Sequence, residues 1–204
     1  MKTHSFLTTS NDDIAPTPQV AASPEQVRPL KVNDHAAIAN LRDIRGELID
    51  IASLYASQPT ILIFYRGGWC PYCSTQLMDL VHAEPKLVEL GYQILAVSPD
   101  RPEAMKESVD KNGFSYQLLS DSDMALSQAF GLAYKVDEPT LVKLHSHNID
   151  LEKASGKKHH LLPVPAVYII DTKGIVRFAH WDADYTKRLP ADKLLETAKS
   201  VAAM

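Results

Sequence analysis

The sequence predicts an α/β domain built on a central mixed β-sheet flanked by helices. Three observations carry that prediction. Continuous apolar runs rich in β-branched and aromatic residues stand at Ile61 to Tyr65, Gln93 to Ser98 and Ala166 to Ile170, the pattern of strands buried on both faces. A helix-period pattern separates the first run from the second, which gives a strand–helix–strand rhythm. Glycines at 67, 68, 91, 113 and 131 punctuate the junctions.

In chain order, residues 1–30 carry Pro16, Pro18, Pro24 and Pro29 among small and polar residues. They are expected to form a poorly ordered N-terminal arm that wraps the surface. Residues 31–204 read as one domain. Leu41 to Ile51 alternates apolar and polar around Arg45-Gly46, a short hairpin. Leu54 and Tyr55 fit a helical turn ahead of Pro59 and the first buried strand. Pro71 has the pre-set φ of a first helical position, and Thr75 to Glu84 continues as an amphipathic helix. Its apolar face runs on through Leu87 and Leu90, with Pro85 predicting a kink or a break into two helices. After the strand at 93–98, a helix runs to Asn112 and stops at Gly113. Tyr116 to Leu119 reads as a short strand, and Met124 to Phe130 as a short helix.

Lys135 to Leu162 reads as an insertion ahead of the last hairpin, helical at first and then a loop through Gly156 to His160. His145 and His147, two apart, do not share a helix face and are expected in solvent. Lys157-Lys158-His159-His160 is expected to be a solvated loop. Asp171-Thr172-Lys173-Gly174 turns the strand at 166–170 into Ile175 to Ala179, an antiparallel hairpin. Leu189 to Val201 closes the chain as a helix with Pro190 near its first turn.

Composition narrows the function classes. The chain has 204 residues, 45% of them hydrophobic and 23% charged, enough for one sizeable core. A net charge of −4 offers no long basic face for nucleic acid. No apolar run approaches the roughly 20 residues of a membrane span. The N-terminus MKTHSFLTTS has no apolar core of a signal peptide. The expectation is a cytoplasmic protein, and in that compartment a cysteine pair is more often catalytic than a structural staple.

The two cysteines of the chain, Cys70 and Cys73, fall on the corner between the Ile61–Tyr65 strand and the following helix. A helix N-terminus presents unpaired N–H groups and the positive end of the peptide dipoles, which favour an anionic thiol. A separation of three puts the side chains on neighbouring positions of the first turn, close enough for a disulfide if their Cβ vectors converge. Half of a zinc site is the first competing reading, but no third cysteine and no regular histidine pair completes it. Two inert core cysteines are the second, and placement between Gly67-Gly68 and Pro71 weighs against it. No metal and no cofactor is expected. Arg66 is a candidate thiolate stabiliser, with a surface ion pair as the alternative. Trp69 and Tyr72 are expected to wall the site, or simply to pack the corner.

The stretch Phe64-Tyr65-Arg66-Gly67-Gly68-Trp69-Cys70-Pro71-Tyr72-Cys73 resembles the central motif of thioredoxin-fold proteins. The whole layout is similar to the peroxiredoxin-like branch of the alkyl hydroperoxide reductase and thiol-specific antioxidant family. The Gly46 hairpin, Val97-Ser98-Pro99-Asp100 and Ile169 to Gly174 support that likeness, which covers roughly Val32 to the C-terminus. It implies a thioredoxin-like fold with an N-terminal extension and an insertion before the last hairpin. Two departures stand out. Aligned without a gap to the Pro-x-x-x-Thr-x-x-Cys of peroxiredoxins, Arg66 takes the proline place, Cys70 the threonine place and Cys73 the peroxidatic place. The activating arginine of that family would fall near Pro165, where none stands. Val164-Pro165 instead resembles the cis-proline step of thioredoxins.

Three functional readings follow from the resemblance and the dithiol together. One is a thiol peroxidase recycled by thioredoxin or a glutathione-type thiol donor. The second is a thiol–disulfide oxidoreductase acting on a substrate disulfide. The third is a non-catalytic redox-sensing or binding module. Helix-start geometry nominates Cys70 as the exposed nucleophile, whereas alignment to peroxiredoxins nominates Cys73. Dimers are usual in the related families, so the resemblance also allows a homodimer.

Overall fold

The computed structural model describes residues 20–203. Seven strands form one mixed sheet in the order β2-β1-β5-β4-β3-β8-β9. Its centre is β3 (Thr60–Phe64), in which all five residues are buried. It pairs in parallel with β4 (Gln93–Ser98) and antiparallel with β8 (Ala166–Ile170). On one side β4 continues in parallel to β5 (Gln117–Ser120), whose end meets the hairpin of β1 (Asn40–Arg42) and β2 (Leu48–Asp50). On the other, β8 turns back into β9 (Val176–Trp181). Double-sided burial explains why β3, β4 and β8 read as unbroken apolar runs rather than alternating ones.

Each face of the sheet carries its own core. On one, α2 (Pro71–Glu89), α3 (Pro102–Asn112) and α7 (Ala191–Ala202) cover Ile61, Ile63, Ala96, Val167 and Ile169. On the other, α1 (Ile51–Ser57), α4 (Ala125–Ala129), α5 (Glu138–Ser146) and α6 (Leu151–Ser155) help to cover Leu62, Phe64, Leu95, Val97 and Tyr168. Phe64, Phe130 and Tyr168 form an aromatic triad there, with ring centroids 4.9–6.1 Å apart. The cysteine corner belongs to the first core, at the C-terminal end of β3.

Four expectations are corrected. Of the two outcomes expected of Pro85, a kink or a break, the break does not occur: α2 runs through it to Glu89. The residue lies on the exposed face, and burial of Leu77, Leu80, Ala83 and Leu87 on the opposite face offsets the one hydrogen bond a proline cannot donate. The proposed N-terminal arm lies outside the described residues as far as residue 19, but residues 20–30 are not loose. Ala21 N–H bonds the Ala133 carbonyl and Lys135 N–H bonds Ala21, while Arg28 and Leu30 bond Gly131 and Phe130.

The insertion is not a helix followed by a solvated loop. After α5 and α6 its end returns as β7 (Leu161–Pro163) to pair with β6 (Ala133–Lys135). His159 meets the Ser122 carbonyl and His160 meets Glu152, so both rings are held against the fold. Among the described residues every peptide bond is trans, Val164–Pro165 included. Trans is the lower-energy form of an X–Pro bond, and it leads the chain from the Val164–Leu132 hydrogen bond into β8. His145 and His147 are exposed, as the pattern predicted.

Gly131 fixes the docking of residues 20–30. Its φ is 68°, and a Cβ there would collide with the Arg28 carbonyl. Gly131→Ala is therefore expected to cost about 1–3 kcal/mol of stability. Denaturant titration checks the cost, and faster trypsin cleavage at Lys31, the exposed site just after the docked segment, checks its location. Unchanged stability and unchanged cleavage would mean that this crossing does not hold the segment.

Candidate active site

The corner that carries the cysteines is built by three constraints. Tyr65 N–H continues the ladder to the Val97 carbonyl (3.0 Å), so the backbone leaves the sheet only after residue 65. Gly67 then turns it with φ 148°, in the region that favours glycine, and a Cβ there would strike the Trp69 indole and the Asp100 carboxyl. Cys70 follows as the N-cap of α2 with Pro71 in the first turn. The Cys70 carbonyl accepts from the N–H groups of Cys73 and Ser74, both at 3.0 Å.

Both thiols are free, and both are covered: Cys70 is 1% exposed and Cys73 0%. The expectation of an exposed Cys70 edge fails because residues distant in sequence close over it. The two sulfurs are nonetheless unlike. A hydrogen bond from Cys73, then that residue's N–H, then the charges of Arg66 and Arg188 outweigh burial and hold the Cys70 thiol at about 6. Burial, with the anionic Cys70 beside it, pushes the Cys73 thiol up. The surroundings thus favour the anion at Cys70 and the protonated thiol at Cys73.

Magnitudes show what makes that thiolate. A fall from 9.0 to about 6 corresponds to about 4 kcal/mol favouring the anion. A helix N-terminus supplies about 0.3–1 kcal/mol, and up to about 2 where partly buried. The turn alone is insufficient. The donated hydrogen bond and the two guanidinium groups must supply the rest.

Arg66 is 5% exposed, and among the described residues it forms no ion pair. The surface-pair alternative is thereby corrected. Its guanidinium lies over two aromatic rings, 4.0 Å from the centroid of Tyr185 and 5.1 Å from that of Trp69. Trp69 is partly buried and packs against both cores at the corner. Tyr72 is half exposed and meets Tyr185 edge to face at 5.8 Å. Pro165 is buried at the same end of the sheet, since the next residue, Ala166, pairs with Phe64.

Three site residues escaped the sequence reading. Arg188, between β9 and α7, places Nη2 3.3 Å from Cys73 Sγ and Nη1 2.8 Å from Gln76 Oε1. Tyr185, in the same segment, covers Arg66. Asp100, just beyond β4, accepts from Gly68 N–H at 2.7 Å. Its other oxygen and Trp69 Nε1 stand together short of good hydrogen-bond geometry, and the indole still acts to lower the carboxyl. Burial raises the Asp100 carboxyl to about 7 against the Gly68 hydrogen bond, and the nearby Cys70 anion adds to the rise. Arg188 lies 115 residues from Cys73 in an irregular segment, where no periodicity marks it. Asp100 did have a signal, an acid closing a buried apolar strand.

Comparison with known proteins gives a consistent picture. The model of the AhpC/TSA family matches residues 32–179. The putative peroxiredoxin bcp of Haemophilus influenzae is 26% identical over 106 residues, spanning 52% of this chain and 68% of that protein. Peroxiredoxin Bcp of Escherichia coli is 29% identical over 106 residues, spanning 52% and 67%. Among solved structures, peroxidoxin BcpB from Mycobacterium tuberculosis superposes with a TM-score of 0.65 at 20% identity, covering 84% of this chain and 97% of that one. Reduced Prx3 from Vibrio vulnificus gives 0.68 at 18% identity, covering 83% and 99%. The shared architecture is the thioredoxin-like fold of these proteins.

Asp100 makes the stability depend on pH with a definite sign. Its folded value, about 7, is raised above the ordinary 3.8. Its contribution to stability is therefore present in full below about pH 4 and lost as pH rises through about 7. Asp121, raised by burial to about 6, acts in the same direction. Asp100→Asn is expected to flatten this loss by on the order of a few kcal/mol. Denaturant midpoints of both proteins across that range are the check, and parallel pH profiles would contradict it.

Proposed function

The chain belongs to the AhpC/TSA family, and from that premise we propose that it is a cysteine-dependent peroxide-reducing oxidoreductase working through the Cys70–Cys73 dithiol, in a single domain spanning residues 31–204. The observation that carries the reading is the placement of two free, buried thiols at the N-cap and first turn of α2, with Arg188 Nη2 3.3 Å from Cys73 Sγ, in surroundings that lower the Cys70 thiol and raise the Cys73 one. That arrangement suits a nucleophile beside its resolving partner.

The chemistry balances in three steps. The Cys70 thiolate attacks one oxygen of the peroxide, the O–O bond breaks, and the leaving oxygen takes up a proton as an alcohol or water. Cys70 is left as a sulfenic acid. The Cys73 sulfur then attacks the Cys70 sulfur, water departs, and an intramolecular disulfide forms. An external dithiol, or two monothiols in turn, reduces that disulfide through a mixed disulfide and leaves as a disulfide itself. Thioredoxin or a glutathione-type donor in a reducing cytoplasm fits that last role.

Supporting residues follow from their positions. Pro71 starts the helix whose N–H groups face the sulfur, and Arg66 and Arg188 supply positive charge around it. Trp69 and Tyr185 keep Arg66 in place by lying against its guanidinium. Tyr72 is the exposed aromatic side chain beside the pair, and Pro165 closes the corner at the sheet end.

Stopped-flow tryptophan fluorescence of the reduced protein against hydrogen peroxide tests the reading, since Trp69 adjoins Cys70. Wild type is expected to give a fast, peroxide-dependent transient whose rate rises with pH around a midpoint of about 6. Cys70→Ser is expected to abolish it. Cys73→Ser is expected to keep it but to stop at the sulfenic acid. Loss of the transient only in Cys73→Ser would exchange the two roles. A rate no faster than that of a free thiol would leave disulfide exchange as the account of the pair.

A further inference from the structure

The dithiol carries the thiol of the chain most ready to ionise, yet Cys70 is 1% exposed and Cys73 0%. A peroxide must reach sulfur along the O–O axis, so something over the pair has to move. The cover is identifiable. Residues 182–190, between β9 and α7, lie across the corner with neither helix nor strand of their own. Among the described residues they make no backbone hydrogen bond to any segment other than themselves and the first turn of α7.

Side chains hold this strap instead. Arg188 reaches Cys73 Sγ and Gln76 Oε1, and its Nε donates to the Tyr185 carbonyl at 2.7 Å. Tyr185 lies over Arg66 and against Tyr72. Beside the strap is a half-open groove of about 460 Å³ lined by Tyr72, Gln76, Leu80, Thr186, Arg188 and Leu194. A segment held by a few side chains, with open volume alongside it, is one that opens locally without unfolding the domain.

We propose that residues 182–190 form a gate over the dithiol, latched by Arg188 on Cys73 and by Tyr185 on Arg66, and released when the disulfide forms. The release has a simple cause. In the reduced pair Arg188 meets an electron-rich sulfur next to an anion. In the disulfide both sulfurs are neutral, and the charge that retains the guanidinium is gone. Arg188 is in this scheme a positioning residue: it arrives from a different element than the family's arginine, and it leaves with the strap. The reductant then meets an uncovered disulfide, whereas the reduced pair is shut between turnovers.

The proposal rests on the dithiol reading above, and its test does not need peroxidase activity. Reduced wild type, Tyr185→Ala and Arg188→Ala are labelled with N-ethylmaleimide over a range of pH, and each cysteine is followed by mass spectrometry. A gate that is open for only roughly 0.1–10% of the time predicts labelling plateaus about tenfold or more higher in both variants. A changed midpoint with unchanged plateaus would assign Arg188 to charge alone and overturn the gate. Trypsin supplies an arm without substitutions, because Lys187 and Arg188 are themselves cleavage sites. The wild-type strap should be cut faster in the disulfide form than in the reduced form, and equal rates would overturn the latch. Failure of the peroxide reading would show separately, as a missing peroxide transient in wild type.

Discussion

The structure depends on keeping a sulfur anion inside an apolar corner. Burial alone works against it, as the raised Cys73 thiol demonstrates a few ångströms of chain away. At an effective dielectric of about 20, a unit charge about 4 Å from another is worth about 4 kcal/mol. That is the size of the effect needed at Cys70, whereas a helix terminus falls short of it. The site makes up the difference first through hydrogen bonds from Cys73 and then through the charges of two arginines, Arg66 and Arg188. Arg66 leaves the end of β3, and Arg188 returns from beyond β9. The sheet order puts β8 and β9 next to β3, which is what lets a residue so late in the chain reach the corner.

Each guanidinium is retained by a different means. Arg66 is enclosed, with two aromatic rings against its planar face and its Nε left without a partner. Its cost of burial is offset by the anion and by the rings. Arg188 is only half-buried and divides its donors among a sulfur, a side-chain amide and a backbone carbonyl. One is part of the permanent wall and the other belongs to a movable cover. Asp100 completes the balance at the Gly67-Gly68 turn. A second full anion would compete with Cys70 for the same positive charge, and burial keeps the carboxyl titrating near neutrality instead.

Most of the framework was legible in the sequence because its signals are local. Double-sided burial wrote β3, β4 and β8 as apolar runs, and Gly67-Gly68 followed by Pro71 marked the strand-to-helix corner. What failed was tertiary. Pro85 carries a local instruction to break a helix, but four buried residues on the other face of α2 overrule it. Residues 20–30 look like a tail by composition, yet they are tied down by backbone bonds to Gly131, Phe130 and Ala133. His159 and His160 sit in a polar tract whose partners, Ser122 and Glu152, no short-range pattern could supply. The cysteines were found from spacing, but their burial was not, because the strap that covers them comes from the far end of the chain.

The departures from the peroxiredoxin motif take on a physical sense in this light. Cys70 in the threonine place exchanges a hydroxyl for a second sulfur, and in the proposed cycle that sulfur attacks while Cys73, in the peroxidatic place, resolves it. With both sulfurs in one helical turn, disulfide formation needs no large rearrangement of the backbone. In the reduced state Cys73 is the thiol that donates to the Cys70 anion, so proton and partner sulfur arrive together. An arginine fixed at the Pro165 position would stay put through this cycle. One carried on a strap held mainly by side chains can follow the charge instead, present while the sulfur is anionic and gone once it is not. Relocating the arginine thus couples the charge of the site to its accessibility, which a residue anchored in the sheet cannot do.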